Sequence, residues 1–320
     1  MNKHDEPDGQ TAWWEVHASV TTPDVAVTEL VAVLLREAAP AGLAEAADGW
    51  LAFLPDEDAA HDLASRLLAV AGAACQVRRV NDDEWSAWRF AFRPILISGR
   101  LTIVPVYDPT EHPPLTPESD ADADADAEAC SACAAVYIEP GLAFGTGEHP
   151  TTANCLRYLV DHVSPGARVL DVGTGSGILA IAAAALGAAR SLGIDIDPVA
   201  IRSAKANLLL NPAVQDLVEF VCGDATAIGP AGQAQATPIE GLAGGGFDIV
   251  LANLTTNLIA ILLPVLRSYV APGGHLILSG ISTERAVELD EPMSAAGVTT
   301  LHTVDEQGWR TMLCQPVALP

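Results

Sequence analysis

Positive charge is what this chain most lacks. Its 320 residues hold 16 Lys and Arg against 41 Asp and Glu, a formal net charge of −25, so its surface repels phosphate backbones and no direct nucleic-acid binding is expected. A basic partner is easier to accommodate, although solubility alone would also account for the charge. Cysteines number six, too scattered for a disulfide framework, and fit a reducing compartment. Cys130 and Cys133 form one C-x-x-C with no second pair or nearby His to complete a zinc set, so no metal is expected. No run approaches the ~18 apolar residues of a membrane span, and the opening MNKHDEPDGQ lacks the apolar core of a signal peptide. A cytoplasmic protein without membrane partners is expected. Aromatics make up only 5%, which leaves small residues, above all Ala, to fill the core.

What remains divides into parts. Residues 12–20 alternate as a strand, TPDVAVTELVAVLLREAAP carries helical spacing, GWLAFLP reads as a strand, DEDAAHDLASRLLAVAGA as a helix and CQVRRV as a strand. This predicts a small α+β domain, of ferredoxin-like kind, over 11–80. Residues 81–133 are expected to hold linker strands, among them FAFRPILISGRLTIVPVY, and then an acidic, Pro- and Ala-rich surface loop. From 134 to 320 strands and helices alternate, which implies a Rossmann-like parallel sheet with helices on both faces. The Gly- and Ala-rich stretch 228–246 reads as an insertion in a surface loop.

Four motifs fall where open α/β sheets bind ligands, at the carboxyl ends of strands. RVLDVGTGSGILA places Asp171, Gly173, Gly175 and Gly177 between a strand and an Ala-rich helix. Glycines there allow a tight turn and close backbone approach. A dehydrogenase would show G-x-G-x-x-G; here the third glycine comes one residue early and an acid precedes the first by two, the usual methyltransferase spacing. GIDIDP ends the next strand with Asp195 placed for two ribose hydroxyls, and CGDA offers Asp224 either to an adenine amino group or as a helix cap. FDIVLANLTTN delivers Asn253, whose amide can hold an amine through its N–H bonds or serve as a cap.

Ahead of these lies EPGLAFGTGEHPTT, ending on Thr152 where a helix starts. FGTGEHPTT closely resembles the FGTGTHPTT signature of the PrmA-type ribosomal protein methyltransferases. The resemblance extends through VLDVGTGSGILAIAAAALGA, GIDIDPVAI, VLANL and LILSGI, with weaker echoes at Glu84, Trp85, Trp88, Phe92 and Pro94 and in the closing Gly308-Trp309-Arg310. It implies a class I methyltransferase domain behind a small substrate-recognition domain, S-adenosylmethionine as cofactor, and lysine side chains or the N-terminal amine of the eleventh large-subunit ribosomal protein as acceptors. By the same resemblance Thr152, Gly173, Asp195 and Asn253 contact the cofactor, and Phe144, Thr146 and His149 line the mouth of the site; Gly175 and Asp224 join the expected cofactor set by their places in the motifs, and Asn253 is expected to orient the amine as well. Glu148 stands where the family usually has Thr. A monomer is expected. Three other readings compete: a lysine methyltransferase for another protein, a nicotinamide-dependent dehydrogenase, and a binding module without activity.

Overall fold

The computed structural model describes residues 13–20, 27, 30–31, 34–35, 38, 43–46, 49–54, 56–80, 93–106, 133–139, 147–227 and 246–317. The chain divides into two compact units, 1–92 with 141–144, and 93–140 with 145–320.

The first unit is a four-stranded antiparallel sheet. Its strands are β1 (Trp13–Val20), β2 (Leu43–Ala46), β3 (Gly49–Leu54) and β4 (Ala73–Val80), in the order β2-β3-β1-β4. Among the described residues, 27, 30, 31, 34, 35 and 38 are helical, and the face with 27, 31, 34, 35 and 38 packs inward while Leu30 is exposed. Val31 and Leu35 on that face are buried with Val16, Ala18 and Leu54. Helix α1 (Glu57–Leu68) adds Leu63 and Leu67 to the same core. Asp56 caps α1 by accepting the Ala59 N–H at 2.8 Å, and Glu57 and Asp58 complement the positive end of the helix dipole. The sequence reading expected three strands here. The fourth, LAEA, has no β-branched residue and only four positions, so its pairing with β3 left no mark on local propensity.

The second unit opens with a small sheet of β5 (Ile95–Ile97), β6 (Leu101–Pro105) and β7 (Ala134–Ile138). Ser98 and Gly99, both at positive φ, turn β5 into β6. Next come α2 (Pro150–His162), β8 (Arg168–Val172), α3 (Ile178–Ala185), β9 (Arg190–Asp195), α4 (Pro198–Leu209) and β10 (Val218–Cys222). They are followed by β11 (Phe247–Asn253), α5 (Thr256–Tyr269), β12 (Val270–Ser282), α6 (Asp290–Ala296), β13 (Val298–Glu306) and β14 (Trp309–Pro316). The seven-stranded sheet runs β10-β9-β8-β11-β12-β14-β13. Strand order reverses beside β8, creating the crevice where ligands bind in such folds.

The first five strands of that order are parallel, as the alternation implied. The last two depart from it. β13 and β14 form a hairpin through Gln307 and Gly308, both at positive φ, and β14 inserts antiparallel against β12. One buried cluster covers one face of the sheet with α2, α3 and α4, and a second covers the other with α5 and α6. Helix α3 is apolar all round, and every residue from Ile178 to Ala184 is buried, which explains its lack of a polar face. No helix among the described residues is long and apolar enough to cross a membrane. Cys133 is disulfide-bonded; Cys75, Cys155, Cys222 and Cys314 are free. The acidic stretch 107–132, most of the 228–246 insertion, and Glu84, Trp85, Trp88 and Phe92 lie outside the described residues.

Two asparagines of the α4 region join the small sheet to the glycine turn. Asn207 accepts the Glu139 N–H at 2.9 Å and donates to the Ser176 carbonyl at 2.8 Å. Asn211 accepts from Tyr137 N–H at 2.9 Å and donates to its carbonyl at 2.7 Å. Both are buried, so each bond would leave an unsatisfied group if broken.

Space is tight between β9 and β10. A Cβ at Gly193 would lie 2.5 Å from Phe220 Cε1 and 2.6 Å from Thr174 Oγ1, whereas one at Gly223 would meet nothing within 4 Å. Gly193→Ala should therefore cost about 1–3 kcal/mol in chemical denaturation, and Gly223→Ala should stay within about 0.5 kcal/mol of the parent.

Candidate active site

The site begins at the end of β8. Gly173 and Thr174 both donate their backbone N–H to the Ile194 carbonyl, at 2.8 and 3.0 Å, which folds the turn back over β9. Gly173, Gly175 and Gly177 have φ of 74°, 53° and 81°, a left-handed region that L side chains rarely enter. Gly177 then caps α3. A Cβ on Gly173 would also sit 2.4 Å from Leu254 Cδ2, so the turn and the segment after β11 touch through the missing side chain.

Asp171 is 1% exposed. Its Oδ2 accepts the Thr174 hydroxyl at 2.6 Å, while its Oδ1 has no hydrogen-bond partner among the described residues. Burial pushes its carboxyl up to about 7, against the pull of the Thr174 hydroxyl, and the Asp195 charge adds to the rise. A dry acceptor of this kind suits a ligand bearing N–H groups or positive charge.

The structure brings Asp195 to the same turn. Its Oδ2 accepts the Gly175 N–H at 3.0 Å and its Oδ1 the Asp197 N–H at 3.0 Å. Asp197 caps α4 ahead of Pro198 and accepts from Val199 N–H at 2.7 Å. Asp224 follows β10, next to Asp195 because the Gly223 N–H donates to the Asp195 carbonyl at 2.9 Å. The Asp224 side chain is exposed and accepts the Thr226 N–H at 2.8 Å, which is the capping geometry.

Asn253 ends β11 at the carboxyl edge of the sheet. Its Nδ2 donates to Thr152 Oγ1 at 3.3 Å, so the amide is oriented from α2. Thr152 is 1% exposed. His149 caps α2, its Nδ1 accepting from Thr151 N–H at 3.3 Å and lying 2.6 Å from Thr151 Oγ1. Glu148 is exposed, yet the protein packed around it raises its carboxyl pKa. Phe144 and Thr146 lie outside the described residues.

Two neighbours of this site were not singled out from sequence. Trp309, at the start of β14, meets the His149 ring edge-on at 5.3 Å; its only signal was the Gly-Trp-Arg echo. Ile196 is 74% exposed directly after Asp195, an apolar side chain at the rim of a polar turn. Its signal was an isoleucine between two aspartates.

The family model of ribosomal protein L11 methyltransferase (PrmA) matches residues 17–316. The ribosomal protein L11 methyltransferase of Symbiobacterium thermophilum is 35% identical over 237 residues, covering 74% of this chain and 67% of its own length. That of Bacillus cereus is 32% identical over 276 residues, 82% of this chain and 78% of its own. A solved ribosomal protein L11 methylase from Lactobacillus delbrueckii subsp. bulgaricus is 27% identical, with a TM-score of 0.53 over 70% of this chain and 99% of that one.

The Asp171 carboxyl carries a pH signature. Its folded pKa is raised, so its contribution to stability is fully present below the unfolded value near 4 and is lost as pH rises through about 7. Measured by denaturation from pH 4 to pH 8, Asp171→Asn should gain stability relative to the parent as pH rises. A constant difference between the two would show that Asp171 is ionised throughout.

Proposed function

The chain belongs to the ribosomal protein L11 methyltransferase family, and from that premise we propose that it transfers methyl groups from S-adenosylmethionine to amines of ribosomal protein L11. Lysine side chains and the N-terminal amine are the acceptors this reading names. The observation that carries it is the Asn253–Thr152 pair, at the sheet edge whose glycine turn holds Asp171 and Asp195.

The residues present fit the cofactor. Asp171 offers a buried acceptor without a partner among the described residues, Asp195 offers a carboxylate for hydroxyls, and the Gly173–Gly177 backbone lets a ligand approach closely. Asp224, Thr152 and the apolar Ile196 complete the proposed binding set, with Phe144 and Thr146 assigned on sequence alone. S-adenosylmethionine, when bound, supplies a methyl group on a positively charged sulfur whose departure needs no proton.

The work left to the protein is to present a neutral amine. A lysine with an ordinary pKa of ~10.4 must first lose its proton, whereas an α-amine near ~8 does so readily. Because Asn253 Nδ2 is engaged by Thr152, its Oδ1 is the atom available to accept an amine N–H and aim the nitrogen lone pair. Catalysis is then mostly proximity and orientation.

The small unit is the proposed recognition domain. Its order β2-β3-β1-β4, with the helical positions 27, 30, 31, 34, 35 and 38 between β1 and β2 and α1 between β3 and β4, supports a ferredoxin-like reading of 11–80. The net charge of −25 suits a basic protein substrate and not a nucleic acid. A cytoplasmic monomer is the form proposed.

Incubating the purified protein with labelled S-adenosylmethionine and ribosomal proteins from a strain lacking it, followed by mass spectrometry, tests the reading. Label is expected on L11. Label confined to another protein would overturn the substrate and keep the chemistry. Asn253→Ala should lower turnover at saturating cofactor by about 10²-fold, well beyond whatever loss of cofactor affinity calorimetry reads in the same variant. Full turnover in that variant would remove Asn253 from the mechanism.

A further inference from the structure

Strand β12 is irregular at the place where it passes Asn253. Its register against β14 shifts between Leu278 and Ile281, so Ser279 and Gly280 form a bulge in the ladder. Bulges of this kind re-aim side chains. Here the Ser279 side chain points into the protein, 0% exposed, and its Oγ–H donates to the Thr151 carbonyl at 3.0 Å. Its one proton being used, Ser279 Oγ must accept from Thr311 Oγ1, which lies 2.7 Å away and is also 0% exposed. A directed chain results: the β14 hydroxyl donates to the β12 hydroxyl, which donates to the first turn of α2.

The other half of the bulge faces β11. Gly280 has φ of 80°, and a Cβ there would stand 2.3 Å from the Leu254 carbonyl oxygen and 3.1 Å from Asn253 Oδ1. The Leu254 N–H donates to the Ser279 carbonyl at 3.0 Å, and Asn253 pairs with Ser279 across the strands. One short segment thus touches both partners of the Asn253–Thr152 pair. Its backbone fixes the end of β11, and its hydroxyl fixes the turn of α2 that carries Thr152.

We infer that the Ser279–Gly280 bulge, buttressed by the Thr311 hydroxyl, is a positioning element that sets the Asn253 amide for amine transfer. Ser279, Gly280 and Thr311 are positioning residues; none is placed against cofactor or amine. The inference rests on the methyltransferase reading, since it is there that Asn253 Oδ1 has work to do. Loss of the Thr311 hydroxyl leaves Ser279 Oγ, in a dry site, with only the weak thiol donor of Cys155 buried beside it. The chain then loosens where α2 meets the sheet, and the 3.3 Å contact between Thr152 and Asn253 is the one that follows.

Thr311→Val keeps the shape and removes the hydroxyl; Thr311→Ser keeps the hydroxyl. In steady-state methylation of L11, Thr311→Val is expected to lower kcat by about tenfold with KM for S-adenosylmethionine and its binding constant unchanged. Thr311→Ser should recover most of that loss. In protein labelled with ¹⁵N-Asn, the Asn253 side-chain amide resonances, assigned through Asn253→Asp, should shift in Thr311→Val and return in Thr311→Ser. Unchanged kcat and unchanged resonances in Thr311→Val would overturn the inference. So would a loss of kcat, cofactor affinity and melting temperature together that Thr311→Ser fails to restore, since that is the mark of a merely structural residue. If the parent protein methylates nothing in L11, the functional reading fails on its own, and the amide resonances alone decide the positioning.

Discussion

Closeness of backbone at the glycine turn is the constraint on which the rest of the large unit depends. One carbonyl, that of Ile194, takes two N–H bonds from the turn after β8. Phe220 presses on Gly193 and Gly177, and Leu254 on Gly173. The three contacts reach from β10 and the end of β11 onto β9 and the β8 turn, so one packing problem locates four segments at once. Methyl-sized additions at these glycines would push those segments apart, and interiors packed at crystal-like density have little room to absorb it. The left-handed angles of the turn are a second reason for glycine, independent of space.

From that closeness the electrostatics follow. Asp171 sits where water is excluded, and burial, with a smaller push from the Asp195 charge, lifts its carboxyl to about 7. Asp195, half-buried a short way along, keeps its carboxylate on backbone N–H groups of the turn and of its own loop. Two acids of the same formal charge thus have different environments within one crevice: one dry with an idle oxygen, the other wet and bonded.

Polar groups also hold the edges of the site together. Asn207 and Asn211 tie the backbone of residues 137–139 to α4 and, through Ser176, to the glycine turn. The segment that follows, 140–147, carries the Phe-Gly-Thr-Gly of the family signature. On the opposite side, Thr311, Ser279 and Thr151 make the corresponding connection from the antiparallel hairpin to α2. Buried amides and hydroxyls are costly unless fully partnered. Asn207, Asn211, Ser279 and Thr311 are partnered by segments distant in sequence.

That distance separates what could be read from sequence from what could not. The alternation of strands and helices, the glycine turn, Asp195 and Asn253 were legible because each depends on local order: hydrophobic period, a turn that needs glycine, a residue at the end of a strand. The family itself was legible in FGTGEHPTT, and the comparisons bear it out over residues 17–316. Strand β2 and the antiparallel place of β14 were not, because a four-residue strand and an inserted edge are decided by pairing partners. Sequence offered Asp224 two roles, and its bond to Thr226 gives it at least the capping one. The sequence by itself determined the class of fold and the turn that defines the site. Only the tertiary structure decided that Asp171 lies dry, that Trp309 meets His149, and that a bulge in β12 stands behind Asn253. Each of these is a contact between residues far apart along the chain, and no local pattern encodes which of many distant partners the packing will choose.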